Sequence, residues 1–162
     1  MAYLNADGLY LKYGTDRGVS TTAGEFKTFG ELRTIDVKID LTTLGTGSTI
    51  LADTTYFPKT VRIEQVEIVC HTAVTSGGSA VLNVGLIRTD RTTTYDADGF
   101  VAALALTAFD AAGEKVILTA GSTGAGAFIG TTLANPGLLV ADYDTASFTA
   151  GVIIVRIKYR GV

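Results

Sequence analysis

The sequence predicts an all-β fold: an antiparallel β-sandwich with one short helix and an N-terminal arm. Three observations predict it. Apolar and polar residues alternate in several runs with the two-residue period of a half-buried strand. About seven or eight runs that read as strands follow one another at short spacing, separated by turn signals. The composition matches, with 19 Gly to make turns and 25 Thr among β-branched residues that favour extended backbone.

In chain order, Leu9–Tyr13 (LYLKY) is the first short strand. Around it, residues 1–30 scatter aromatic side chains among Gly, Asp, Thr and Ser. They read as an arm carrying its own strand, or as an edge strand followed by a long loop. As an arm, Tyr3, Leu4, Tyr10, Tyr13, Phe26 and Phe29 are the candidate protein-interface residues. Tyr and Phe bury much area at interfaces for little lost entropy. On the other reading they fill their own core. The division adopted is 1–30 as arm and 31–162 as sandwich domain.

Thr34–Leu41 (TIDVKIDL) places Ile35, Val37, Ile39 and Leu41 on one face and Asp36, Lys38 and Asp40 on the other. Those alternating charges would discourage stray pairing at a sheet margin. Val61–His71 is a second strand whose apolar parity changes inside it, from Val61 and Ile63 to Val66, Ile68 and Cys70. A one-residue bulge near Glu64–Gln65 restores a single apolar face. Ala80–Arg88 follows the turn Ser76-Gly77-Gly78-Ser79, so the two strands are expected to form a hairpin. The helix is expected over about 98–112, with Asp96 and Asp98 as capping acids and Gly113 as its stop. Lys115–Thr119 and Gly137–Tyr143 read as short strands, with a loosely held loop between them. Val152–Tyr159 (VIIVRIKY) is the strongest strand, its first half apolar on both faces, as in a central strand covered on both sides. Strands in this order suit a jelly-roll-like or Greek-key sandwich.

Charged residues make up only 18% of the chain, against roughly 25% in ordinary soluble domains. Mean hydropathy is +0.34. No apolar run approaches the ~18–20 residues of a bilayer span, and the first residues lack the pattern of a signal peptide. A membrane partner is therefore not expected. The net charge of −3 with dispersed Lys and Arg argues against nucleic acid. What remains is a surface suited to burial against other protein.

The residues that carry chemistry assemble poorly. Cys70 and His71 are strand neighbours that point to opposite faces, so they form no dyad, and no second Cys or His exists for zinc. Gly121–Gly130 (GSTGAGAFIG) lacks both the Lys-Ser/Thr ending of a phosphate loop and a helix after it. Asp96-Ala97-Asp98-Gly99 resembles part of a calcium loop, but Ala105 stands where the bidentate Glu belongs. Asp142 and Asp144 share a strand face, yet a chain without Trp gives no sign of a sugar cleft. No catalytic residue, metal, cofactor or small-molecule substrate is expected. A carbohydrate-binding module and a small hydrolase built on Asp142, Asp144 and His71 are the rivals to a structural role.

Several segments together resemble virion proteins of the head module of tailed bacteriophages. These are AYLNADGLYLKYG, VKIDLTTLGTGSTILADTTYFPKTVRIEQVEIV, SGGSAVLNVGLI and SFTAGVIIVRIKYRG, which between them span most of the chain. The resemblance implies a capsid decoration (cement) protein, a non-enzymatic β-sandwich that forms homotrimers and clamps the major capsid protein. It implies synthesis in the host cytoplasm and a place on the outer surface of the virion capsid. A tail or head-fibre protein of the same virion fits these patterns too.

Overall fold

The computed structural model describes residues 31–51 and 56–162 in full, together with the backbone of three short strands nearer the N-terminus. Those three, β1 (Ala2–Leu4), β2 (Leu9–Lys12) and β3 (Glu25–Thr28), form an antiparallel sheet in sequence order. The strand expected at 9–13 is present as β2, with one partner on each side.

Nine further strands follow: β4 (Leu32–Asp40), β5 (Thr49–Ile50), β6 (Tyr56–Phe57), β7 (Val61–Ser76), β8 (Val81–Ile87), β9 (Thr94–Ala105), β10 (Lys115–Leu118), β11 (Gly137–Asp144) and β12 (Phe148–Gly161). They build two antiparallel sheets. One has four strands in the order β10-β7-β12-β4, and the other runs β5-β11-β8-β9 with β6 also paired to β11. Side chains from both sheets meet in one apolar cluster, Ile39, Ile68, Val155 and Ile157 from the first and Leu82, Val84, Leu86 and Leu139 from the second. The protein is therefore all-β, its sheets facing each other across a common core.

β4 lies at the margin of its sheet, so its charged alternation guards an exposed edge. β7 carries the expected bulge. Lys158 pairs with Gln65 and Tyr159 with Ile63, so Glu64 has no partner on β12. The extra residue returns Val61 and Ile63 to the buried face used by Val66, Ile68 and Cys70.

Four expectations are corrected. The segment expected as helix over about 98–112 is the second half of β9, then a single 3-10 turn at Leu106–Ala108. Its Ala and Leu residues favour helix by only tenths of a kcal/mol each. Extended backbone lets Phe100, Val101 and Leu104 reach the core and pair with β8, which outweighs that preference. Asp96 caps no helix and instead accepts from the Asp98 amide at 3.3 Å, a local turn.

The expected hairpin of β7 with β8 is absent. β7 pairs with β10 and β12, whereas β8 pairs with β9 and β11, so the turn at Ser76–Ala80 carries the chain from one sheet to the other. β12 is central in its sheet but covered on one side only. Ile153, Val155 and Ile157 are fully buried, while Val152 and Ile154 on the other face are half-buried.

The loop from Gly121 to Gly130 is held firmly. The Gly130 amide donates to Ile63 of β7 at 2.8 Å, and the Phe128 amide to Gly99 of β9 at 2.7 Å. Phe128 and Ile129 are buried, and the loop ties one sheet to the other. The sequence shows its glycines but not the backbone groups that meet them.

Candidate functional site

Cys70 and His71 stay apart. Cys70 is 1% exposed and its thiol donates to the Thr72 carbonyl at 3.2 Å, while His71 is exposed on the opposite side. Burial, with Glu114 and Asp110 nearby, pushes the Cys70 thiol up and away from the reactive thiolate. The loop after β10 leads into turns, with no helix N-terminus to receive an anion. Among the described residues, no group of three His, Cys, Asp or Glu is placed to hold a metal. No described helix is long and apolar enough to cross a membrane.

The two acid pairs, read separately in the sequence, come together on the outer face of the five-stranded sheet. Asn83 of β8 sits beside Asp142 of β11 in register. Its amide nitrogen donates to Asp142 at 2.9 Å and to Asp144 at 2.8 Å, and its oxygen accepts from the Ala103 amide at 2.8 Å. Ser48 donates to the second oxygen of Asp142 at 3.3 Å. Burial raises the Asp142 carboxyl above the ordinary range despite these donors, and the charges of Asp144 and Asp98 add to the rise. Asp96 is raised as well, by burial and by its contact with Asp98. Asn83 thus clamps two carboxylates and a bulge of β9 at once. Nothing in its sequence neighbourhood points to that task.

The outer face of the four-stranded sheet has the opposite character. The rungs place Glu67 of β7 beside Arg156 of β12 and Asp36 of β4, with Ile117 of β10 at the far side. The Glu67 side chain is only 3% exposed because long cationic side chains lie over it. Lys115 reaches it at 2.9 Å, Arg156 at 3.2 Å and Lys158 at 3.7 Å. Arg156 also grips Asp36 through two bonds of 2.8 Å, a planar fork matched to a carboxylate. The hydrogen bond from Lys115, with the three surrounding charges, holds the Glu67 carboxyl below its ordinary range against the effect of burial. The Arg156 hydrogen bond does the same for Asp36. Beside this network lie exposed Ile117 and half-buried Val69 and Ile154, an apolar strip on the same face.

The strands of this sheet carry seven Lys and Arg against four Asp and Glu, a net of +3. The strands of the other sheet carry four Asp and no Lys or Arg, a net of −4. Both sheets face outward with charge of one dominant sign. Among the described residues these two faces bring together no nucleophile, base and orienting group.

The sequence-predicted interface residues fall in the N-terminal strands. Tyr3 and Leu4 lie in β1, Tyr10 in β2 and Phe26 in β3. Tyr3 is in register with Leu11, which pairs onward with Phe26, and Leu4 is in register with Tyr10. Tyr13 and Phe29 lie outside the described residues.

No protein-family model matches the sequence. No curated protein matches it either. Solved structures do. A chain in the capsid of Ralstonia phage GP4 superposes with a TM-score of 0.57 at 16% identity, covering 90% of this chain and 94% of that one. A chain in the capsid asymmetric unit of cyanophage Pam1 gives 0.54 at 14% identity, covering 92% of this chain and 98% of that one. At such identities the likeness is one of fold. The chain thus has, over nearly its whole length, the fold of chains found in two phage capsids.

Proposed function

We propose that this protein is a non-enzymatic structural component of a phage particle, which decorates the outer surface of the capsid and reinforces it. It does so as a trimer that clamps neighbouring copies of the major capsid protein, with residues 1–30 as the clamping arm. The observation that carries the reading is the near-complete mutual coverage with the capsid chain of phage GP4, 90% and 94%. A likeness confined to one motif would leave the rest of either chain unexplained.

The strand order supports it. Numbering β4, β5 and β7 to β12 from one to eight, the sheets read one-eight-three-six and two-seven-four-five. We read that order as a jelly roll, an architecture common in viral shells. The physics of the role is additive. Each copy buries apolar area across a boundary at ~25 cal/mol per Å², and repetition over a shell multiplies a modest contact.

The test is to mix purified protein with capsid shells lacking it, measure co-sedimentation, and image the particles. Saturable binding with density on the outer surface is expected. Density in the tail, or no binding to shells, would overturn the assignment.

A further inference from the structure

The unlike charges of the two outer sheet faces have a consequence for how copies meet. We propose that copies of this chain associate head to tail, the basic outer face of the four-stranded sheet docking on the acidic outer face of the five-stranded sheet of the next copy. This deepens the self-association proposed above and rests on it.

The occupant follows from complementarity carried within one chain. On the β4-β12-β7-β10 face, Lys38, Arg62, Lys115, Arg156, Lys158 and Arg160 point outward with Asp36, Asp40, Glu64 and Glu67, a net of +2, while Arg33 pairs with Tyr159 on the core side. Lys38 is exposed there, and Lys115 and Lys158 are 48% and 29% exposed at their side chains. The opposite face presents exposed Asp98 and Asp144 beside Asp96 and Asp142. Burial and mutual repulsion raise the Asp96 and Asp142 carboxyls, so the patch is held at an electrostatic cost that a neighbouring cation relieves. Like faces repel, which disfavours a two-fold contact of either face with itself. The contact is thus heterologous. Because the two faces look away from each other across one core, repeating it builds an open row rather than a small closed ring. It is therefore a contact between neighbours on a surface, separate from the one that closes a trimer.

Two variants of the full chain test this. Lys38→Glu with Lys158→Glu turns the basic sheet to a net of −1 and leaves Glu67 its partners Lys115 and Arg156. Asp98→Lys with Asp144→Lys neutralises the acidic sheet and leaves Asn83 its bond to Asp142. Circular dichroism confirms that each is folded. Sedimentation velocity then follows association at about 50 mM and about 500 mM salt, where screening lengths differ roughly threefold.

The native chain is expected to associate at least tenfold more tightly at low salt. Each variant alone is expected to lose that gain, and their mixture to recover it as one-to-one pairs, because the intact basic face of one variant meets the intact acidic face of the other and the altered faces end the row. A mixture that associates no better than its components overturns the proposal. A closed trimer indifferent to salt and to both variants overturns it too, while leaving the trimer of the proposed function intact. A monomer under every condition overturns both.

Discussion

Glu67 is the residue on which the basic face turns. A carboxylate this covered needs charge-assisted partners, and Lys115, Arg156 and Lys158 supply them. Glu67→Ala is expected to destabilise the fold by about 2 kcal/mol at neutral pH, as three cations lose their common acceptor. Urea unfolding measures it, and an unchanged midpoint refutes the role. The pH dependence has a definite sign. Glu67 and Asp36 are depressed, so their stabilisation is present above the ordinary carboxylate range and lost as pH falls through their lowered values. The gap between native and Glu67→Ala chains should therefore close in acid. Asp142 and Asp96 are raised and act oppositely, favouring the native state below the ordinary range and losing that contribution as pH rises through their raised values. Asp142→Asn keeps an acceptor for Asn83 and a polar partner for Ser48 but sheds the charge. It should raise the melting temperature at neutral pH and have little effect in acid. A lower melting temperature at neutral pH would show that the charge itself stabilises.

At the scale of elements, β9 departs furthest from its sequence reading, and its path depends on glycine. A Cβ at Gly85 of β8 would run into the Asp96 carbonyl and the Ala97 backbone. A Cβ at Gly126 would meet the Asp98 and Gly99 backbone from the other side. The 96–99 stretch is thus wedged between two chains that approach as only glycine permits. Gly85→Ala should cost about 3 kcal/mol, or roughly 10 °C in melting temperature for a chain of this size. Gly47→Ala, with nothing within 4 Å of its added carbon, is the control and should change little. Equal melting temperatures for the two variants would sink the account. The bulge at Glu64 was legible because apolar parity changes within one short run. The partners of β8 and β9 were not, because Ala and Leu serve helix and strand alike and Gly85 does not announce what it must admit.

At the scale of the molecule, the core among the described residues is built from positions 37–157. A chain starting at Glu31 is therefore expected to fold with native circular dichroism yet fail to co-sediment with shells. Unchanged shell binding would transfer the docking role from the arm to the sheet faces. The candidate arm residues are a proposal from the sequence, where aromatic side chains scatter among Gly, Asp, Thr and Ser. The segregation of charge between sheets was not legible there, since it appears only once each strand is assigned to its sheet.

The sequence by itself determined that the chain is all-β, where most of its strands lie, where β7 bulges, and that its surface is poor in charge. Alternation and parity are local properties, read within a few residues, and burial of one strand face enforces them directly. The tertiary structure alone decided which strands are neighbours, that 98–105 is strand, and that basic and acidic residues part onto different faces. Those outcomes depend on segments tens of residues apart finding a common core. The free energy that settles them belongs to the packed sheets, not to any one stretch of chain.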